Sequence, residues 1–134
     1  MANTLLLEKI RKAKRVYLIG NGGSYANAQH ISNDLICAGV RAYTLEASTL
    51  TAIANDRDYS QTFSFWLRVV GEKGDLLIAL SGSGRSPNIL EGIKTAQELG
   101  MDVHFETDYL RTKDMQQSEE DQIVLGHELM RALR

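Results

Sequence analysis

Apolar positions along this chain fall into blocks of two kinds. Four short stretches read as strands: Arg15–Gly20 (RVYLIG), Val40–Leu45, Leu76–Leu80 and Met101–Phe105. The unbroken apolar run Leu76–Leu80 is short enough for a strand buried on both faces. Between them, apolar residues recur every three or four positions, which predicts helices with one inward stripe. The first is capped by Asn3 and runs to about Lys14, with Leu6, Leu7 and Ile10 along one side. A second spans Ser24 to about Cys37 and is closed by Gly39. A short one, capped by Ser48, ends near Ile53, and Asn55-Asp56-Arg57-Asp58 is a polar break. Ser60 or Thr62 opens a helix to about Gly71 that buries Phe63, Trp66, Leu67 and Val70. Pro87–Leu99 turns Ile89, Leu90, Ile93 and Ala96 inward, with Gly100 at its end. Thr107–Ser118 carries no pattern, and Glu119–Leu133 closes the chain with Ser118 as its N-cap.

Strand and helix therefore alternate, which predicts a parallel sheet flanked by helices. The expected fold class is α/β, a three-layer sandwich in a single domain over residues 1–134.

Two strand ends carry chemistry. Leu76–Leu80 breaks into Ser81-Gly82-Ser83-Gly84-Arg85-Ser86, and Pro87 follows at a helix N1 position with Ser86 as N-cap. Arg15–Gly20 runs into Asn21-Gly22-Gly23-Ser24 and then a helix. Helix N-termini leave N–H groups unpaired at a positive dipole end, glycine lets an anion approach, and serine adds donors. In an open parallel sheet both loops lie at carboxyl ends of strands, where ligands bind. The expected ligand is a phosphate. A Walker loop needs a closing Gly-Lys-Ser/Thr, which is missing, and Pro87 stands where a dinucleotide fingerprint needs its third glycine. No nucleotide cofactor is expected; a small phosphorylated metabolite is. An ordinary turn using Ser and Gly for geometry is the plain alternative.

Composition narrows the partners. The 134 residues carry a formal charge of −2 with no basic stripe, which disfavours nucleic acid. No apolar run approaches a membrane span, and Leu5–Leu7 is too short for a signal h-region. The one cysteine, Cys37, builds no disulfide, fits a reducing cytoplasm and reads as a small core residue.

Among single residues, His30 and Asp34 are four apart and share a helix face. They can form an acid/base pair, two metal ligands or a solvated polar pair. Asp56 is a sugar-hydroxyl ligand or a turn residue. His127 sits in an apolar helix, where a hydrogen-bonded interior histidine is the plain reading.

GNGGSYANAQH, AIANDRDYSQTF and GEKGDLLIALSGSGRSPNIL, in that order, resemble the sugar isomerase (SIS) domain family, and within it the phosphoheptose isomerases. The likeness runs from about Val16 to Val103, weakens across 104–118, and returns over EEDQIVLGHEL. It implies a flavodoxin-like SIS fold. It implies an aldose–ketose isomerase converting sedoheptulose 7-phosphate to D-glycero-D-manno-heptose 7-phosphate through an enediol. Ser81, Ser83 and Ser86 match phosphate-binding serines; Asn21, Gly22 and Ser24 match the first ligand loop; Asp56 matches a sugar contact. His30 falls on a first-helix histidine. Asp34 falls where these isomerases carry glutamate as base or metal ligand, Glu119 where they carry glutamine, and His127 on a catalytic histidine. Catalysis is thus assigned to Asp34 and His127, and Glu119 joins the substrate contacts. Some members hold zinc with the positions of His30, Asp34, Glu119 and His127. A cytoplasmic homo-oligomer, dimer or tetramer, is expected. Asp34 is one methylene shorter than glutamate, and the chain is shorter before Val16 and around 104–118. Those departures lend weight to the competing reading of a catalytically silent SIS module that binds a sugar phosphate or a protein, as relatives that bind a replication initiator do; the retained His30 and His127 argue against it.

Overall fold

The computed structural model describes residues 3–108 and 112–134. Four parallel strands, β1 (Val16–Ile19), β2 (Ala42–Thr44), β3 (Leu76–Leu80) and β4 (Asp102–Glu106), form one sheet in the order β2-β1-β3-β4. Val16 pairs with Ala42 on one side and Leu76 on the other, and Leu76 pairs in turn with Asp102. Six helices surround the sheet: α1 (Thr4–Lys12), α2 (Gly23–Cys37), α3 (Ala47–Asp56), α4 (Thr62–Val70), α5 (Pro87–Glu98) and α6 (Met115–Leu133). The expected three-layer α/β sandwich is the observed one.

The strand period of two divides the core. Val16, Leu18, Leu76, Ile78 and Leu80 face α1, α2 and α6, meeting Leu6, Ile10, Ile31, Leu35 and Leu129. Tyr17, Ile19, Leu77 and Ala79 face the other way, onto Phe63 and Leu67 of α4 and Ile89 and Ala96 of α5. Each wholly buried aliphatic side chain stabilises by about 1.5–3 kcal/mol before chain entropy is subtracted. That is why β1 and β3, buried at every position, read as unbroken apolar runs. The edge strand β4 is half-exposed. Its outer edge is sealed at Val103: the carbonyl accepts from Lys9 Nζ (2.8 Å), and the N–H donates to Asp102 Oδ1 (2.9 Å). Charged side chains on an edge discourage strand addition.

Several expectations change. The last helix starts at Met115, capped by Asp114 Oδ1, which accepts from the Gln117 N–H at 2.8 Å. Ser118 is not its cap; it is buried inside the first turn. The third helix starts at Ala47 rather than after Ser48 and runs to Asp56, so the polar break begins two residues later, at Arg57. A single 3-10 turn, Tyr59–Gln61, capped by Asp58, precedes α4. Cys37 is exposed, because Asp34 and Leu35 point inward on that last turn of α2. Leu90 is 42% exposed; the inward stripe of α5 is Ile89, Gly92 and Ala96. Trp66 and Val70 are only partly buried.

Candidate functional site

Sequential order places β1 and β3 side by side with their chains leaving in opposite directions. The crevice at their carboxyl ends is the topological switch point of the sheet. Both glycine–serine loops open there, into one cleft of about 100 Å³ lined by Asn21, Ser24, Leu80, Ser81, Gly82, Ser83, Ser86 and Met115. The volume far exceeds the ~15 Å³ that one water needs.

Local sequence explains the shape. Gly22, the N-cap of α2, has φ +55°, a left-handed conformation that glycine adopts without strain, and it offers no capping side chain. Ser86, the N-cap of α5, also makes no side-chain cap. In the second loop, the Gly84 N–H donates to Ser81 Oγ (3.2 Å) and the Arg85 N–H to Ser83 Oγ (3.2 Å). Three helix N-termini meet at the cleft: Ser24 from α2, Ser86 from α5 and Met115 from α6 all line it. The positive dipole ends of these helices favour an anion, and α6 is already capped by the Asp114 carboxylate. None of the described residues that line the cleft is basic.

The two loops are fastened by amides. Asn21 Nδ2 donates to Asn88 Oδ1 and Asn88 Nδ2 donates to Asn21 Oδ1, both at 2.8 Å. Tyr59 Oη donates to Asn21 Oδ1 (2.8 Å), and Asn88 Nδ2 reaches Thr62 Oγ1 (3.1 Å).

Helix α6 runs parallel to α2 and covers both loops. A Cβ at Gly82 would meet Ser118, and one at Gly23 would collide with the Glu119 carboxylate. Below these, Asn27 Nδ2 donates to the Glu119 carbonyl (2.9 Å) and to Gln122 Oε1 (2.8 Å), and Gln122 Nε2 donates to Ser24 Oγ (3.1 Å). Further down, a Cβ at Gly126 would lie 2.7 Å from Ile31. This close approach sets the second cluster. His30 Nε2 lies 3.2 Å from His127 Nε2, 3.6 Å from Asp34 Oδ2, and His127 Nε2 lies 3.9 Å from the same oxygen.

Asp34 is buried, its Oδ2 has no hydrogen-bond partner, and both imidazoles are nearly half-exposed. Two facing Nε2 atoms cannot both carry a proton along one line, so one ring accepts. The set can exchange protons, or it can hold a metal. All three donor atoms lie within 4.8 Å of one another. Ligands ~2.0–2.1 Å from a tetrahedral zinc lie about 3.3 Å apart, so the spacing and the orphaned carboxylate oxygen fit zinc. Glu119 stands outside this group. It lies two turns nearer the cleft, since Gly23 and His30 are separated by about 10 Å of helix. Asp56 ends α3, exposed, accepting from Asn55 Nδ2 (3.0 Å), and does not line the cleft.

Asn88, Tyr59, Asn27, Gln122 and Gly126 were not singled out by sequence reasoning. A signal existed for three of them. Asn88 interrupts an apolar stripe just after the proline, Gln122 occupies an inward position of α6, and Gly126 sits unexplained in mid-helix.

Next to the cleft, Lys113 Nζ contacts Asp121 Oδ2 at 2.7 Å. The hydrogen bond from Lys113, helped by Gln117, holds the Asp121 carboxyl below its usual range, and the same bond raises Lys113.

The sequence and the fold are shared with known proteins. The SIS domain profile matches residues 1–104. The chain belongs to the SIS domain family. It is 40% identical over 100 residues to a phosphoheptose isomerase of Desulfovibrio desulfuricans, covering 69% of this chain and 48% of that one. It is 40% identical over 109 residues to one of Campylobacter jejuni, covering 75% and 58%. Among solved structures, phosphoheptose isomerase from Neisseria gonorrhoeae superposes with a TM-score of 0.85 at 30% identity, covering 96% of this chain and 80% of that one. The chain spans about half the length of the curated relatives it matches.

Proposed function

We propose that the chain acts on a phosphorylated sugar as an aldose–ketose isomerase, converting sedoheptulose 7-phosphate to D-glycero-D-manno-heptose 7-phosphate. The observation that carries this reading is the convergence of both serine–glycine loops on one cleft, with His30, Asp34 and His127 gathered two turns further along α2. Phosphoheptose isomerases of similar sequence support it.

The hydroxyls of Ser81, Ser83 and Ser86 hold the phosphate among the three helix N-termini, and Asn21, Gly22 and Ser24 form the opposite wall. The separation of about 10 Å along α2 favours a long carbon chain over a three-carbon one. The sugar lies along the seam of α2 and α6, past Glu119. At the far end, Asp34 or His127 removes the proton alpha to the carbonyl. An enediol forms, and the other group returns a proton to the neighbouring carbon. Positioned acid–base groups of this kind contribute ~10²–10⁴ in rate. Zinc, which His30, Asp34 and His127 would hold, supplies polarisation of the carbonyl when bound. Asp56 remains a candidate hydroxyl contact at the end of α3.

Copies of the chain are assigned to associate through the outer surfaces of α1, α2 and α6, where Leu5, Ile36 and Val124 are each more than half exposed. No helix among the described residues is long and apolar enough to cross a membrane, in keeping with the cytoplasmic enzyme proposed.

The test is to supply purified protein with sedoheptulose 7-phosphate and follow the aldose product by NMR. The second reading, a silent sugar-phosphate-binding module, draws on Asp34, one methylene shorter than the glutamate that the resemblance expects there. Thermal stabilisation by the sugar phosphate without product formation selects that module over the isomerase.

A further inference from the structure

Among the described residues, none that lines the cleft is a cation. Its lining offers hydroxyls, amides and helix N-termini, and the one carboxylate that leans over its first loop is Glu119. The Glu119 carboxylate sits where a side chain at Gly23, the first residue of α2, would begin. The Glu119 carbonyl accepts from Asn27, but its carboxylate has no hydrogen-bond partner among the described residues. The side chain is half-buried. The charges beside it do not neutralise it. Glu106, Asp108 and Asp121 line the adjoining hollow behind Gly82, and the cation there, Lys113, is taken by Asp121.

A negative charge at the positive end of α2 is favourable by itself. It also occupies the field that a bound anion would use. Like charges repel at short range in a partly dry cleft far more than in water. A carboxylate with no internal donor, however, is an acceptor in want of a hydroxyl. Sulfate brings none, and a phosphate ester of a polyol brings several.

Resting on the sugar-phosphate reading above, we propose that Glu119 is a charge filter. Its carboxylate weakens binding of free phosphate or sulfate and accepts a hydroxyl hydrogen from the carbohydrate next to the ester. The cleft thereby selects esterified polyols over inorganic anions of the same charge.

Titration calorimetry with sulfate and with sedoheptulose 7-phosphate, on the full chain and on Glu119→Gln, tests this. Sulfate is used because its charge stays fixed across neutral pH. Glu120→Gln, an exposed neighbour on α6, is the control for a general change in net charge. Glu119→Gln is expected to bind sulfate about threefold tighter or more, with the gain shrinking in concentrated salt. Its preference for the sugar phosphate over sulfate falls by at least the same factor. The filter is overturned if Glu119→Gln leaves both the sulfate affinity and the preference unchanged, or if Glu120→Gln gives the same gain. If neither ligand binds either protein, the cleft is no anion site and the filter falls with it. Sugar phosphate bound with unaltered preference removes the filter alone.

Discussion

The side-chain amides of Asn21 and Asn88, 67 positions apart, face each other with both hydrogen bonds at 2.8 Å. The pair ties the loop after β1 to the helix after the serine loop. Asn88 is 1% exposed and its partner Thr62 is 0% exposed, so losing the amide leaves the buried Thr62 hydroxyl without its donor. Truncation of Asn88 to alanine is expected to cost about 1–3 kcal/mol of stability, the range for orphaning a buried partner. It also weakens anion binding, because the two walls of the cleft are no longer fixed. Urea denaturation and sulfate titration check both; unchanged values in both would show that the pair is incidental.

Gly126 reports on the α2–α6 seam. Replacing a mid-helix glycine by alanine ordinarily gains about 1 kcal/mol. Here the new methyl group would sit 2.7 Å from Ile31, and overpacking costs about 1–3 kcal/mol. Gly126→Ala is therefore expected to lower stability and to move His127 away from His30. Loss of isomerisation with sugar-phosphate binding intact is the expected kinetic result; a more stable, fully active variant would contradict the packing argument.

Lys113 and Asp121 give a pH signature for the start of α6. The folded pKa of Asp121 is lowered from the usual 3.8, mainly by the hydrogen bond from Lys113. Its contribution is therefore present above that value and disappears as pH falls through the folded pKa. Lys113 is raised from 10.5 by the same bond, so its share is full below that value and disappears as pH rises through its folded pKa. The melting-temperature difference between the natural chain and Asp121→Asn is expected to be flat between about pH 5 and 9 and to close at both extremes. A difference that persists at pH 2 would show that the pair does not carry it.

The sequence made the sheet legible because burial on both faces leaves no room for polar residues. β1 and β3 stand out for that reason, and Asn3 and Gly39 mark ends by local rules of capping. Both loops were visible as strand ends rich in glycine and serine. What stayed hidden depends on contacts between distant elements. Ser118 looked like a cap because serine caps well, yet tertiary packing over Gly82 buries it and Asp114 takes the role. Asn27 and Gln122 looked like ordinary polar positions until α6 lay parallel to α2. His30 and Asp34 share a face by spacing alone, whereas the approach of His127 needs the whole α2–α6 seam. The apolar pattern of α6 marked His127 only as an interior histidine, and the resemblance gave it a catalytic role. Asp56 sits away from the cleft, and one helical turn more of α3 than expected carries it there.

The most direct measurement follows carbon-bound hydrogen. With sedoheptulose 7-phosphate in deuterated water, the account predicts that the natural chain forms the aldose and washes deuterium into the carbon next to the carbonyl. His127→Ala should lose at least ~10²-fold of both signals while the sugar phosphate still stabilises it against heat. Deuterium exchange at full rate in that variant, or bound sugar phosphate with no exchange in the natural chain, would contradict it.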